Sequence, residues 1–305
     1  MNVFRILSFL SILNIHFLFS QNADNEIVFV GKLNRYDTIP PQKIENAKLR
    51  VWYEFSHPVK YEKEEIIRKD TMALVAGDNY SMYYDWFRES KYKNLISQLD
   101  GAKKTTKEII YNSFHIFSDI AVDQKRLSEF TLNRENAQIL KNRTANLIIT
   151  TDLDDSDIVS EKLYWLDEKI SPQQWQFMEE EETEILGYLC QKAVCRFQGR
   201  NYTAWFTLDI PINDGPYKFY GLPGLILKIE DSEKLFQFTA IGLEQLTNVE
   251  IVSDHKKDFI ICTPEQYKTV KKRIQETNVL YYSQDETLFV TKRRIPVVYK
   301  SIEMD

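Results

Sequence analysis

The chain has 305 residues and a formal net charge of −6, from 45 acidic and 39 basic side chains. This modest acidic excess argues against a partner rich in phosphate, so we expect no nucleic-acid partner. Hydrophobic residues make up 43% and aromatic residues 13% of the chain, which is enough for a substantial core. No repeat or low-complexity linker divides the sequence, so a single β-rich domain over residues 21–305 is expected.

The first residues have the layout of a secretory signal peptide, over residues 1–20. Arg5 precedes an apolar run from Ile6 to Phe19, Ser20 is a small residue at a plausible cleavage point, and Gln21 begins a polar stretch. The run is shorter than the roughly 20 apolar residues that span a bilayer. We therefore expect export to the periplasm or secretion, and no transmembrane segment in the mature chain.

Alternation of apolar and polar residues predicts several short strands in the first half of the chain. These strands are Glu26–Val30, Leu49–Phe55, Thr71–Ala76, Asn79–Tyr84 and Ala145–Thr150. The sequence Gly77-Asp78-Asn79 predicts a hairpin turn between two of them. Asp85–Asp100 and Gln124–Lys141 are mixed and more polar, which favours helices there.

The second half has a clearer pattern, which predicts an antiparallel meander. Its strands are Tyr188–Phe197, Tyr202–Leu208, Leu225–Glu230 and Leu235–Ile241. Leu163–Trp165 and Trp175–Phe177 are candidates for further short strands. The stretch from Ser171 to Gln174 also resembles the start of a helix, so its structure is left open.

Thr263-Pro264-Glu265-Gln266 predicts the start of a helix, with Thr as the N-cap, Pro at the first helical position and Gln at the third. Tyr267, Val270 and Ile274 follow at helical spacing, and basic residues cover much of the remaining surface. Such a helix could bind acidic lipids, but the short run of charge favours the solvated face of a docked helix.

Three cysteines occur in the chain: Cys190, Cys195 and Cys262. Cys190 and Cys195 lie on one predicted strand at a separation of roughly 16 Å and on opposite faces. Bridged Cα atoms lie within about 7 Å of each other, so these two cannot form a disulfide. A disulfide would therefore involve Cys262, with Cys190 as the candidate partner; three buried, unbridged side chains are an equally good interpretation.

The stretch Asp209–Gly224, called the core loop below, predicts a long loop between two strands. It holds three of the nine prolines and three of the nine glycines. Asp214, Gly215 and Pro216 predict one turn, and Pro223-Gly224 predicts a type II turn that follows Gly221.

Long loops of this kind often bind other molecules or pack on themselves. Tyr217, Lys218, Phe219 and Tyr220, together with Trp205 on the preceding strand, are therefore candidate residues for binding a ligand or a partner. The alternative is a structural plug, in which these aromatic side chains pack inward.

Gly221–Ile226 reads GLPGLI, which resembles the signature of the GLPGLI family of exported proteins of Gram-negative bacteria. The resemblance extends to the segments Leu186–Ala193, Arg200–Phe206 and Ile210–Phe219. It implies export and a single β-rich GLPGLI-type domain, but no established reaction, and so it assigns no catalytic residue. This sequence has Tyr220 before the signature, where the family is expected to have Gly.

The sequence lacks the common catalytic signatures, among them G-x-S-x-G, H-E-x-x-H, the P-loop and C-x-x-C. His57, His115 and His255 are far apart and have no metal-ligand partner at helical or strand spacing. The run Asp152–Asp157 could attract Ca²⁺ but lacks the Gly and Glu that an EF-hand loop requires. We therefore predict no catalytic residue, no metal site and no cofactor.

These observations favour a mainly β fold with some helix (α+β), built on an antiparallel meander. By fold analogy, a curved half-barrel resembling periplasmic lipoprotein carriers is expected. The leading hypothesis is a non-enzymatic envelope protein that binds a hydrophobic small molecule or an envelope protein through this sheet and the core loop. The alternatives are an interaction subunit that docks on an outer-membrane or secreted partner, and an uncharacterised hydrolase-type enzyme.

Overall fold

The structure is a computed structural model that describes residues 18–21, 27–30, 41–61, 64–86, 137–154, 162–280, 293–298 and 300–304. Within these ranges the chain is mainly β, with one α-helix, α1 (Pro264–Glu276), and a 3₁₀ turn at Lys256–Asp258. The strands are β1 (Leu18–Gln21), β2 (Ile27–Val30), β3 (Gln42–Tyr61), β4 (Glu64–Ala76), β5 (Tyr80–Asp85), β6 (Gln138–Asn142), β7 (Leu147–Asp154), β8 (Lys162–Lys169), β9 (Gln176–Ile185), β10 (Tyr188–Phe197), β11 (Arg200–Thr207), β12 (Leu225–Asp231), β13 (Gln237–Ser253), β14 (Ile260–Cys262), β15 (Thr277–Leu280) and β16 (Arg293–Val298).

Fourteen of these described strands form one large sheet, which is not closed. Its main order is β14-β8-β7-β6-β5-β4-β3-β13-β12-β11-β10-β9, and β16 joins the end of β3 and carries β15. All pairings are antiparallel except the parallel contact of β14 with β8. β1 and β2 form a separate two-stranded sheet. The expected antiparallel meander is thus present, as the run of neighbours from β9 to β13.

The predicted strands within the described ranges are all found, and several are longer than expected. The hairpin turn at Gly77-Asp78-Asn79 is confirmed, since the Gly77 N–H donates to the Tyr80 carbonyl at 2.9 Å between β4 and β5. β3 is the longest of the described strands, and β4 pairs with it on one side while β13 and β16 pair with it on the other.

The helix predicted at Gln124–Lys141 is wrong at its C-terminal end. Ile139, Leu140 and Lys141 are buried in β6, which pairs with β5 and β7 and so obtains its backbone hydrogen bonds from neighbouring strands. The rest of this segment and most of Asp85–Asp100 lie outside the described residues, as do residues 1–17 of the predicted signal peptide.

The predicted capping box of α1 is confirmed. The Gln266 N–H donates to the Thr263 hydroxyl at 3.3 Å, and the Gln266 side chain accepts the Thr263 N–H at 2.9 Å. The helix docks through Tyr267 and Lys271, which contact the Asp152 carboxylate at 2.8 and 3.0 Å. Asp152, from the run considered as a Ca²⁺ site, therefore anchors the helix.

The main hydrophobic core contains side chains from both halves of the sheet. Side chains from β3, β4 and β5 meet side chains from β11, β12 and β13 there, and the core loop packs among them. Tyr53 and Phe206 are both fully buried, so the two halves of the sheet share this core. A smaller cluster that includes Ala73 and Tyr84 is separate from it. In the described part of the chain, no helix combines the length and apolar character needed to cross a membrane.

Candidate functional site

The aromatic residues of the core loop point into the protein. Phe219 is 0% exposed and its ring lies 4.7 Å from that of Tyr202 in an edge-to-face contact, the geometry that aromatic pairs favour. Tyr220 is also buried, and Tyr217 is half-buried against Phe238. The loop therefore fills the face of the sheet that was expected to hold a ligand.

A buried ion cluster holds the start of the loop. The ammonium of Lys141 lies 2.5 Å from one oxygen of Asp214, and Arg143 lies 2.5 Å from the other. Lys141 also donates to the Gly215 carbonyl at 2.6 Å. Burial lowers the pKa of Lys141, and Asp214 opposes that shift. Arg143 further donates to the Gly77 carbonyl at 2.7 Å, so the cluster ties together the loop and two hairpin turns.

A second ion cluster holds the middle of the loop. Lys218, which is buried, lies 2.6 Å from Glu168 and 2.8 Å from Glu303. Burial alone would lower the pKa of Lys218, but the Glu303 and Glu168 carboxylates outweigh it and raise the pKa. The Tyr217 hydroxyl also donates to Glu303, at 2.7 Å. The one cationic residue predicted for binding is thus charged and already paired.

The segment before β9, whose structure the sequence left open, is an irregular strap across the loop. The Gln173 side chain accepts the Tyr220 N–H at 2.9 Å, and the indole N–H of Trp175 donates to the Tyr220 carbonyl at 3.0 Å. The Tyr220 hydroxyl donates to the Ile170 carbonyl. The segment forms neither helix nor strand, and these contacts hold Tyr220 in place from its outer side.

The turn at Pro223-Gly224 differs from the prediction. A type II turn would give Gly224 a positive φ, but the positive φ in this part of the loop belongs to Gly221, at +104°. Gly224 has a different role, because a Cβ atom there would lie 1.9 Å from the Thr207 carbonyl oxygen. The signature glycine therefore permits close backbone contact between the loop and β11.

Trp205 is the predicted binding residue that lies outside the core loop. Alternation along β11 points Trp205 away from Tyr202 and Ala204, but Trp205 is half-buried and packs against the margin of the same main core. Its cross-strand neighbours are Lys192 and Lys228, and the Lys192 ammonium lies 5.7 Å from the centre of the Trp205 ring. The structure thus brings Tyr217–Tyr220 together in the core loop and leaves Trp205 half-buried at the margin of the main core.

All three cysteines are free thiols, so the suggested Cys190–Cys262 disulfide is not formed. The reason is position: Cys190 is on β10, next to one end of the sheet order, and Cys262 is on β14, at the other end. Cys190 and Cys195 are both buried in the main core. Burial raises the pKa of Cys190 to about 11 and that of Cys195 to about 12, which makes both thiols poor nucleophiles at neutral pH.

A buried His–Asp pair, which no sequence pattern indicates, lies between β3 and β4. His57 on β3 lies 3.0 Å from the Asp70 carboxylate on β4, and Arg68 donates to the other oxygen of Asp70 at 3.0 Å. The Phe55 ring stacks on the imidazole at 4.6 Å. Their adjacent positions in a paired hairpin could have been found only from the register of β3 and β4.

The described surface leaves apolar side chains exposed where β9 and β10 meet. We call these three residues the hairpin-end patch: Leu186 (44% exposed), Leu189 (55%) and Leu208 (51%). Phe177, which is 57% exposed, lies apart from them near the start of β9, where it pairs with Ala193 and its ring contacts that of Phe206 at 5.8 Å. Gln191 pairs with Phe206, so two residues further on Leu189 and Leu208 come level with each other. Single exposed apolar residues are ordinary, but several on one hairpin can mark an interaction site.

The turn at the tip of this hairpin is strained. Leu186 has φ +53° and Gly187 has φ +81°, and positive φ at both central residues is characteristic of a type I′ turn. The left-handed conformation costs a residue such as Leu about 1–2 kcal/mol. The turn at the other end of β10 has the same form, with Gln198 at φ +45° and Gly199 at φ +78°. There the Gln198 carbonyl accepts the Met304 N–H at 3.0 Å.

Residues 197–228 match a family described as "Protein of unknown function (Porph_ging)", which occurs in Bacteroidetes. The match includes the Gly221–Ile226 signature, so it is consistent with the resemblance noted above. No curated protein matches the chain.

Among solved structures, PNGF-II in space groups P21 and C2 matches with TM-score 0.42 and 15% identity in both cases. These alignments cover 73% and 78% of this chain but 34% and 35% of the PNGF-II chains. This chain therefore spans about a third of their length, and a likeness this weak assigns neither a fold nor an activity.

Proposed function

We propose that this chain is an exported GLPGLI-type envelope protein that docks a partner protein at the hairpin-end patch and catalyses no reaction itself. The observation that carries the proposal is Leu186, an apolar residue 44% exposed in a strained turn where a polar residue would cost less. Strained residues that are exposed often serve a function, because folding alone gives no reason for them.

The filled core supports partner docking over the carriage of a hydrophobic small molecule. A carrier needs a concave apolar surface that a ligand can enter. Here Phe219 and Tyr220 occupy the face of the sheet, and Asp214 and Lys218 hold the loop with buried ion pairs. Opening the loop would separate charges inside the protein, which is costly.

The chemistry of the buried polar groups also favours a binding role over a hydrolytic one. The charged groups of Asp214, Lys141 and Lys218 all form ion pairs inside the protein, Asp214 with Lys141 and Lys218 with Glu168. The buried thiols have raised pKa values, about 11 for Cys190 and about 12 for Cys195, which is opposite to the shift that activates a nucleophile.

Site-specific photocrosslinking in the intact host envelope tests the proposal. A photoreactive phenylalanine analogue would replace Leu189 in the patch or, as the control, Ile260 on β14, which is 49% exposed at the other end of the sheet. We expect a discrete protein adduct from position 189 and none from position 260.

The same experiment with Leu186→Asn added should weaken the adduct from position 189 severalfold, since the variant removes the apolar tip and keeps the turn. The proposal is wrong if position 189 yields no protein adduct, yields adducts only with lipid, or labels the same proteins as position 260.

A further inference from the structure

We infer that the docked partner adds a short basic β-strand to β9, beside the hairpin-end patch; this inference rests on the docking function proposed above. Strand addition to an exposed edge is a common mode of peptide recognition, in which backbone hydrogen bonds give affinity and alternate side chains give specificity. Three observations on β9 lead to this mode and to the charge of the partner.

The first observation is that β9 is an edge strand in the part of the sheet that the structure describes. Among the described strands β9 pairs only with β10, so its outer backbone groups have no strand partner. The strand has ten residues. Gln176, Phe177, Met178, Glu181, Glu182 and Glu184 are all exposed, so the edge is accessible. At the other end of the sheet, β14 has three residues and offers a much shorter edge.

The second observation is that an irregularity in its pairing with β10 divides β9 into two segments. Its pairing with β10 shifts register after Met178, and regular pairing resumes at Glu182 and continues to Ile185. The regular stretch Glu182–Ile185 leads directly into the strained tip at Leu186. An incoming strand therefore has a regular template of a few residues, with an apolar contact at its end.

The third observation is the charge of this edge. Glutamate occupies five of the ten positions of β9, which has no basic residue. Lys192 on β10 lies 2.6 Å from Glu181. A second copy of β9 would place carboxylates opposite carboxylates, and like charges in cross-strand positions are destabilising. The charge thus disfavours self-pairing and favours a strand rich in lysine or arginine.

The alternation of β9 defines the pattern of that strand. Glu182 and Glu184 point to one face and Thr183 and Ile185 to the other. The incoming strand should therefore carry basic residues two positions apart, with β-branched or apolar residues between them. Leu189, which is opposite Glu184 in the β9–β10 ladder, offers apolar surface to the aliphatic stem of a long basic side chain.

Designed peptides test this inference on the purified full chain. The probe is a peptide of alternating lysine and valine; one control replaces each lysine with glutamate, and the other places a proline at its centre. We expect the Lys–Val peptide to bind at least about tenfold more tightly than either control and to slow amide hydrogen exchange in Glu182–Ile185, because proline removes a ladder donor. Equal binding by the proline peptide, or unchanged exchange in β9, would overturn strand addition.

Matched variants test the role of the carboxylates. Glu182→Gln with Glu184→Gln should weaken binding of the Lys–Val peptide about tenfold, since each pair lost near the surface contributes up to about 1 kcal/mol. The control is Glu54→Gln with Glu250→Gln, which removes the same charge from exposed sites on β3 and β13. An equal loss in the control would mean that only the net charge matters, and the inference would be wrong.

The two proposals can fail separately. If crosslinking from Leu189 identifies a protein partner but neither the peptides nor the β9 variants show an effect, docking stands and strand addition falls. If crosslinking also finds no partner, the docking function falls with it.

Discussion

The core loop and the β9–β10 hairpin are both rich in apolar residues, yet they place them in opposite environments. The loop buries Phe219 and Tyr220 and pairs its charges inside the protein. The hairpin exposes Leu186 and Leu189 and lines its open edge with glutamates. The aromatic content of a long loop is therefore a poor predictor of a binding site, because the aromatic side chains of such a loop can pack into the protein's own core.

The largest effect is expected from removing the charge that anchors the loop. Asp214→Asn leaves Lys141 buried beside a neutral side chain and should lower the free energy of unfolding by about 3–5 kcal/mol. Asp78→Asn is the matched control, because its partner Lys48 is exposed, and should cost less than about 1 kcal/mol. Urea denaturation of both variants checks the prediction, and equal losses would contradict the structural role of the cluster.

The aromatic residues offer a second test of the comparison. Phe219→Ala should destabilise the protein by about 3–5 kcal/mol, since it leaves a cavity in the core. Phe177→Ala, at a position 57% exposed, should change stability by no more than about 1 kcal/mol. The midpoints of chemical denaturation measure both, and a large loss for Phe177→Ala would mean that its contact with the Phe206 ring outweighs its exposure.

Alkaline pH should weaken the core through its buried acids. The pKa of Cys190 rises from 9.0 to about 11 and that of Cys195 from 9.0 to about 12. The unfolded chain therefore loses these protons first, and stability falls as pH rises from about 9 through the folded pKa values. We expect a progressive loss of stability between about pH 8 and about pH 11, because the folded protein keeps these protons to a higher pH than the unfolded chain does.

Replacing both buried thiols, Cys190→Ala with Cys195→Ala, should flatten the pH dependence of the free energy of unfolding. Cys262→Ala is the control, because that thiol is only half-buried and its variant should keep most of the wild-type slope. Denaturation curves at a series of pH values measure this dependence. An unchanged slope in the double variant would mean that other titrating groups cause the loss of stability at alkaline pH.

The smallest effect is a gain in stability at the strained tip. Leu186→Asn should raise the free energy of unfolding by about 0.5–1 kcal/mol, since Asn-Gly suits a type I′ turn. Gln198→Asn relieves the equivalent turn at the other end of β10 and should stabilise similarly. Only Leu186→Asn should also weaken crosslinking from Leu189, so a loss in both variants would argue against a specific docking tip.

The sequence predicted those features that depend on neighbouring residues. The strands of the meander and the Thr263–Gln266 cap were found because alternation and capping act over a few positions. The burial of the core loop was not predictable in this way, because Lys141 and Glu168 are distant in sequence from Asp214 and Lys218. The mixed, polar pattern of Gln124–Lys141 favours a helix, but the hydrogen-bond partners of β6, which are β5 and β7, decide its conformation.

One part of the candidate site carries a local signal in the sequence. Leu186-Gly187 joins two alternating segments, and a residue followed by Gly between two strands is a hairpin signal. The exposure of Leu186 could not be read from the sequence, since it depends on which strand lies at the edge of the sheet.

The central pairing of the sheet has a consequence for how quickly the protein folds. β3 and β13 pair along much of their length, and the ion pair between Arg50 and Glu244 on these strands joins residues 194 positions apart. Contacts between such distant segments form slowly, because the intervening chain must lose its freedom before they contribute. Neither half of the sheet can complete its core before β3 and β13 pair. In the folding chain Tyr53 and Phe238 therefore stay exposed to solvent until this pairing forms.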